Sequence, residues 1–179
     1  MESKDLLFWI KIVHVIKEGS IGRSFNRILN TLANILAFSD ACERGLGGFF
    51  IIGSKAFAWR LELPDDLKDV FTLNLLEFIA AFWTVKIISE FKPGSRIRSH
   101  VDSTNALSWL KKNNHRPDLQ PQHDMVARDY GMALLFESDC SADKDYLEGE
   151  RNKIADSLSR DTHIPSDQLI QVYTSPQRT

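Results

Sequence analysis

The chain has 179 residues, of which 43% are hydrophobic and 26% are charged, and its formal net charge at pH 7 is −2. This length and composition predict one folded globular domain with at most an appended segment, and they exclude the disordered and fibrous classes. The two cysteines, Cys42 and Cys140, are distant in sequence and lack CxxC spacing, so an intracellular protein without a disulfide framework or a structural zinc site is expected.

The first segment with a clear pattern is residues 5–18 (DLLFWIKIVHVIKE), which predict a helix that ends at Gly19. Its apolar part is interrupted by Lys and His and is too short to span a bilayer, so no membrane partner is expected. Residues 1–33 are interpreted as this helix and a connector, residues 34–162 as the compact domain, and residues 163–179 as a C-terminal tail.

The compact domain opens with three short segments rich in Ile, Phe and Trp: ILAFSD, LGGFFIIG and SKAFAWRLEL. Turns that contain Gly or border on it separate them, which predicts three antiparallel strands. The following FTLNLLEFIAAFWTVKIISEF has the length and continuous apolar content of a helix buried on more than one side, ending before Pro93 and Gly94.

Alternation of apolar and polar side chains in SRIRSHVD predicts a fourth strand, followed at once by a helix in STNALSWLKKNN. Residues 120–138 are helical in pattern, CSADKDYL predicts the last strand, and ERNKIADSLSR predicts a short helix. The order βββαβααβα predicts an α/β fold with a mixed five-stranded sheet, three antiparallel strands and then α/β units, flanked by helices.

Four acidic residues fall where this order brings strand ends and helix beginnings to one edge of the sheet: Asp40, Glu77, Asp102 and Asp156. Carboxylates at close range raise each other's pKa unless cations bind between them. An oxygen ligand set without His or Cys suits Mg²⁺ or Mn²⁺. Two such ions commonly support phosphodiester cleavage, which is the chemistry that this cluster predicts.

Each of the four carboxylates also has a structural alternative in a turn, a helix cap or an ion pair. The alternatives are the opening of the turn before Gly45 for Asp40, a capping box with Asn74 for Glu77, the N-cap of the next helix for Asp102, and a pair with Arg160 for Asp156. The strongly apolar helical surroundings of Glu77 and Asp156 favour a functional role.

Four motifs together resemble the ribonuclease H domain of retroelement reverse transcriptases, over about Ile35 to Arg160: FSDACERGLGGFF, LNLLEFIAAFWTV, HVDSTNALSWL and LEGERNKIADSLSR. Within retroelements, the second motif and the N-terminal Trp-containing helix resemble the tyrosine-recombinase (DIRS-type) lineages. The resemblance implies a ribonuclease H-like fold, an upstream polymerase domain joined through residues 1–33, and an RNA–DNA hybrid substrate. It also implies that Asp40, Glu77, Asp102 and Asp156 are catalytic metal ligands for two Mg²⁺ ions, for which Mn²⁺ can substitute.

Recognition of the hybrid needs polar groups that sense the 2′-hydroxyl and cations that meet phosphates. The candidates for substrate binding are Cys42, Arg44, Thr104, Asn105, Lys111 and Lys112. The alternatives are first-turn capping for Thr104 and Asn105, and a solvated basic face for the two lysines.

The sequence departs from the family in the loop before the last acid, where DKDYLEGERN lacks the His that these enzymes often carry. Two functions therefore stay open. The first is an endonuclease specific for the RNA strand of RNA–DNA hybrids. The second is a catalytically weak or inactive ribonuclease H-like module that binds nucleic acid or protein.

Overall fold

A computed structural model describes residues 10, 14, 32–67, 70–112, 121, 124–127, 129 and 140–169. The predicted helix at residues 5–18 lies outside the described residues except for Ile10 and His14, which are both helical. The predicted helix at residues 120–138 also lies mostly outside them, although residues 121, 124–127 and 129 are helical. The proposed roles of residues 1–33 and 163–179 stay predictions.

Five strands form one sheet in the order β3-β2-β1-β4-β5. The strands are β1 (Ile35–Cys42), β2 (Gly45–Ile52), β3 (Lys55–Glu62), β4 (Arg96–Val101) and β5 (Ser141–Tyr146). The first three pair antiparallel, whereas β4 runs parallel to β1 and β5 runs parallel to β4. The mixed sheet predicted from the sequence pattern is confirmed.

Three helices are described from end to end, α1 (Leu73–Phe91), α2 (Thr104–Lys112) and α3 (Lys153–Arg160), and a 3-10 turn at Gly149–Arg151 precedes α3. Thr72 is the N-cap of α1, because its backbone is extended and its side chain accepts a hydrogen bond from the amide of Leu75. None of the helices among the described residues is long and apolar enough to cross a membrane.

The main core lies between α1 and one face of the sheet. Helix α1 buries side chains around most of its circumference, as its apolar content predicts. The core residues that it meets include Ile35 and Ala37 on β1, Phe50 on β2 and Ile97 on β4.

Helix α3 packs against the opposite face of the sheet. Neighbouring residues of a strand point to opposite faces, and on β2 a Cβ added at Gly48 would meet Thr84 of α1, whereas one added at Gly47 would meet α3. At Gly47 the added atom would lie 2.6 Å from the backbone of Leu158 and Ser159. The missing side chain at Gly47 therefore lets α3 approach the sheet closely.

Candidate active site

The four acidic residues come from four parts of the fold that meet beside the carboxyl ends of β1 and β4. Asp40 lies inside β1, opposite Gly47 of β2, and not in the turn before Gly45, so the turn alternative for this residue is wrong. Asp102 directly follows β4, which is parallel to β1. Helix α1 supplies Glu77 and the first turn of α3 supplies Asp156.

Asp40 is the most enclosed of the four acids, with 5% of its surface exposed. Its pKa is raised to about 6, mainly by burial and in smaller part by the charges of Asp102 and Asp156, while a hydrogen bond that Ser159 Oγ donates to Asp40 Oδ2 at 2.6 Å opposes the rise. Because these residues lie on three different elements, the shift reflects a cluster formed by the tertiary fold.

Glu77 lies in a similar environment. Burial raises its pKa to about 7, a hydrogen bond with Ser103 opposes the rise, and the charges of Asp102 and Asp40 add to it. Its Oε2 is buried and has no hydrogen-bond partner. The capping-box alternative for Glu77 is wrong, because Thr72 caps α1 and the helix begins at Leu73, which places Glu77 beyond the capping position.

Asp102 connects the cluster to α3. Burial raises its pKa, while hydrogen bonds from its own backbone amide and from the Asn152 side chain lower it, and the charge of Asp156 raises it. Asp102 does not cap α2, since Ser103 Oγ accepts the hydrogen bond from the amide of Ala106 at 3.1 Å. The N-cap alternative for Asp102 is therefore wrong.

Asp156 adopts the ion pair that was its structural alternative. Its Oδ1 accepts a hydrogen bond from Arg160 Nε one turn along α3, and the side chains of both residues are partly exposed. This pair raises the pKa of Arg160, and the Asp40 carboxylate contributes to the same effect. A cation of the protein itself thus lies at the edge of the acid cluster.

Two of the candidate substrate-binding residues, Cys42 and Arg44, line a cavity. This cavity of about 370 Å³ is lined by Ala41, Cys42, Glu43, Arg44, Leu73 and Arg160. The Cys42 thiol donates to the carbonyl of Ser159 at 3.2 Å and accepts from the amide of Arg44, so it also ties the β1–β2 turn to α3.

Thr104 and Asn105 are exposed at the start of α2. Asn105 Nδ2 donates to Asn74 Oδ1 at 3.2 Å, which joins the first turns of α1 and α2. Lys111 and Lys112 lie in the last turn of α2, and their side chains are outside the described residues, so the basic cluster stays a prediction.

Four residues contact the acids, but a positioning role was not predicted for them from the sequence: Ser103, Asn152, Ser159 and Arg160. Asn152, Ser159 and Arg160 belong to the segment LEGERNKIADSLSR that carries the strongest resemblance, and Arg160 was considered only as a pairing partner. The resemblance of this motif therefore already indicated the segment that contains these three residues. Their contacts to Asp40 and Asp102 join residues remote in sequence and cannot be deduced from local periodicity.

The donor chemistry of the cluster fits Mg²⁺ or Mn²⁺, because it offers carboxylate oxygens and includes the unpartnered Glu77 Oε2. In the described parts of the chain, no three acidic, His or Cys side chains lie close enough together to hold one ion as they stand. Asp40 accepts a hydrogen bond from Ser159 and Asp156 accepts one from Arg160, so a cation would compete with these donors for the carboxylate oxygens.

No protein-family model matches the chain, and no curated protein matches it in sequence. Solved structures match it in fold. RNase H1 from the halophilic archaeon Halobacterium salinarum is similar with a TM-score of 0.52 and 16% identity, over 69% of this chain and 92% of that protein. The prototype foamy virus protease–reverse transcriptase is similar with a TM-score of 0.53 and 13% identity, over 77% of this chain and 22% of the viral protein.

A third solved structure is LC11-RNase H1, isolated from compost and solved in complex with an RNA/DNA hybrid. It has a TM-score of 0.50 and 14% identity, over 69% of this chain and 92% of that protein. Together with the strand order, these likenesses show that the chain has a ribonuclease H-like α/β fold, as the resemblance in sequence implied.

Proposed function

We propose that this ribonuclease H-like chain is an endonuclease that hydrolyses the RNA strand of RNA–DNA hybrids with two Mg²⁺ ions, for which Mn²⁺ can substitute. The observation that carries the proposal is the cluster of Asp40, Glu77, Asp102 and Asp156 at one edge of the sheet, where burial and mutual repulsion raise the pKa of the first two to about 6 and about 7. Carboxylates held this close repel one another, and cations bound between them would remove that repulsion, which supports a functional role for the cluster.

The four carboxylates are the proposed metal ligands. When bound, two divalent ions would activate the attacking water and stabilise the leaving oxygen. The protein's own part is to keep Asp40 and Glu77 in a site shielded from solvent. Their raised pKa values mean that protons compete for the same oxygens near neutral pH.

The hybrid is proposed to lie along this edge. The cavity beside Cys42 and Arg44 is open to a strand that approaches the acids, and the exposed Thr104 and Asn105 offer polar groups for the 2′-hydroxyl. Lys111 and Lys112, in the last turn of α2, would meet phosphates of the DNA strand.

The proposed context is reverse transcription of a retroelement of the DIRS type, inside the cell. The motif LEGERNKIADSLSR and the likeness of the fold to the foamy virus protease–reverse transcriptase support this proposal. An upstream polymerase domain in the full-length polyprotein would be the partner of this chain, with residues 1–33 as the connection.

Incubation of the purified protein with a labelled RNA–DNA hybrid, duplex DNA and duplex RNA tests the proposal, first in Mg²⁺ and then in Mn²⁺. We expect cleavage of the RNA strand of the hybrid alone, and its loss in Asp40→Asn. Absence of hybrid cleavage in both metals, or equal cleavage by wild type and Asp40→Asn, would contradict the proposal.

The alternative function is a catalytically weak or inactive module that binds nucleic acid or protein. The Asp156–Arg160 pair favours it, because an arginine that occupies a proposed metal ligand opposes cation binding. Hybrid binding in the presence of Ca²⁺ without cleavage in Mg²⁺ or Mn²⁺ would support this alternative.

A further inference from the structure

Asn152 is a buried polar side chain between the segments that carry three of the acids. Only 1% of its surface is exposed. It is the N-cap residue of α3, yet its side chain makes no capping hydrogen bond to that helix. The amide group therefore serves contacts other than the usual one at this position.

The Asn152 side chain instead reaches two other segments. Its Nδ2 donates to the carbonyl oxygen of Ser39 at 3.0 Å, next to Asp40 on β1. The same amide also acts on Asp102, because as a nearby hydrogen-bond donor it lowers the pKa of that carboxyl group. The backbone carbonyl oxygen of Asn152 accepts from the backbone amide of Asp156 at 3.0 Å, so side chain and backbone together contact all three segments.

The chemistry of these contacts demands an amide donor. The Ser39 carbonyl and the ionised Asp102 carboxylate only accept hydrogen bonds, and a side-chain NH₂ group has two N–H donors to offer. The Oδ1 of Asn152 is buried without a partner, as expected if the amide is oriented by its two N–H contacts. An aspartate at position 152 would place carboxylate oxygens, which only accept hydrogen bonds, against these two acceptors.

We infer that Asn152 is a positioning residue that holds Asp102 and fixes its spacing to Asp40 and Asp156. The inference rests on the proposed function, in which these three acids bind cations. Residues behind metal ligands orient them, and their loss typically weakens metal binding by about 10- to 100-fold. Asn152 acts through the acids and is not itself a ligand.

The test compares full-length wild type, Asn152→Ala and a control, Thr84→Val. Thr84 is equally buried and accepts from Trp59 Nε1 at 3.1 Å, but it lies in the core between α1 and the sheet. Mn²⁺ binding without substrate is followed by the electron paramagnetic resonance signal of the free ion. Hybrid cleavage in Mg²⁺ supplies kcat and KM, and thermal melts report folding.

For Asn152→Ala we expect Mn²⁺ affinity and kcat to fall by about tenfold or more, with KM changed less than about twofold. For Thr84→Val we expect a lower thermal midpoint with unchanged Mn²⁺ affinity and kcat. A folded Asn152→Ala protein with wild-type Mn²⁺ affinity and kcat would overturn the inference.

If Asn152→Ala does not fold, Asn152→Ser replaces it, since its hydroxyl retains one donor. An Mn²⁺ affinity below wild type then supports the inference, and a wild-type affinity overturns it. The proposed function fails separately, if wild type binds Mn²⁺ but cleaves no hybrid. In that case the Mn²⁺ affinities alone decide the role of Asn152.

Discussion

At the scale of single residues, burial first and repulsion between neighbouring acids second make ionised carboxylates unfavourable in the site, and binding a proton or a cation would relieve both. Asp40 illustrates this, because its raised pKa means that the folded protein binds its proton more tightly than the unfolded chain does. The stability that this proton contributes is present at low pH and is lost as the pH rises through about 6.

Replacing Asp40 by Asn should therefore stabilise the metal-free protein at high pH. Near pH 4 the two proteins should be similar in stability, whereas at about pH 8 the variant should gain on the order of 2 kcal/mol, because it carries no charge to bury. Denaturant unfolding in a chelator at both pH values measures the difference.

The matched control for Asp40→Asn is Asp143→Asn, at an exposed position of β5 outside the cluster. The control should leave the unfolding free energy within about 0.5 kcal/mol at both pH values. A variant Asp40→Asn less stable than wild type at high pH would show that the carboxylate is stabilised by its surroundings, contrary to the direction of its pKa.

Arg160 should compete with cations for Asp156. In Arg160→Ala we expect a lower Mg²⁺ concentration for half-maximal thermal stabilisation, because the carboxylate is released from its internal partner. The unfolding free energy itself should change by less than about 1 kcal/mol, since the pair is an exposed contact within one helix. Arg151→Ala, at an exposed position before α3, is the control. An unchanged or higher Mg²⁺ requirement would contradict this competition.

Some residues of the site could be predicted from the sequence, whereas others are defined by contacts that form only in the folded chain. Asp40 was predicted at the end of the first strand or just inside it, and it lies inside β1. Asp102 was predicted at the end of the fourth strand, which alternating side chains mark well, and it directly follows β4. The role of Ser159 could not be predicted, because its contact with Asp40 spans 119 positions of sequence. No local pattern carries such a pairing.

At the scale of elements, the close approach of α3 to β2 determines where Asp156 lies. Gly47→Ala should push α3 from the sheet, because the added Cβ would lie 2.6 Å from the backbone of Leu158 and Ser159. Backbone cannot yield as a side-chain end can, so we expect a loss of at least about 2 kcal/mol in unfolding free energy, together with weaker Mg²⁺ binding.

The matched control for Gly47→Ala is Gly53→Asn in the turn between β2 and β3. Gly53 has a φ of 60° with nothing within 4 Å of an added Cβ, and Asn tolerates this conformation. Denaturant unfolding and Mg²⁺-dependent melts compare the two variants. Equal, small effects of both substitutions would mean that α3 adapts freely.

Most elements could be predicted from periodicity, whereas the residue that caps a helix could not. The buried helix α1 was predicted within two residues of its observed Leu73–Phe91 because its apolar run is long. Its cap was not predicted, since the sequence indicated only Asn74 as a capping residue, whereas Thr72 caps the helix. The extended backbone of Thr72 and its hydrogen bond from Leu75 distinguish them, and both are features of the folded chain.

At the scale of the whole molecule, protons and cations should compete for the folded state. Asp40 and Glu77 have raised pKa values of about 6 and about 7, so the stability from their protons declines as the pH rises between about 4 and 7. Mg²⁺ should therefore raise the thermal midpoint at about pH 8 and have little effect at about pH 5, where the carboxyl groups hold protons.

Thermal melts with Mg²⁺ and with chelator at the two pH values check this competition. The same melts on Asp40→Asn should show a smaller Mg²⁺ effect at high pH. Equal stabilisation by Mg²⁺ at both pH values would mean that the cation binds away from these acids.

The order of the elements along the chain and the α/β class followed from the sequence pattern, while the meeting of the acids required the tertiary fold. Parallel pairing of β4 with β1 brings Asp102 toward Asp40. A strand followed at once by a helix predicts a parallel return, but it does not predict that β4 lies beside β1. The contact of Asn152 with Ser39 depends on packing around α3 and could not be predicted from that pattern, whereas the pairing of Asp156 with Arg160 was among the alternatives that the sequence indicated.

The docking of α3 on the sheet also has a consequence for the newly made protein. Synthesis begins at the N-terminus, so a growing chain presents Asp40, Glu77 and Asp102 before it contains Lys153–Arg160. Until that last helix leaves the ribosome, Asp40 lacks its contact with Ser159 and the fourth acid is missing. The proposed activity would therefore be withheld from the nascent chain, and from any fragment that ends before α3.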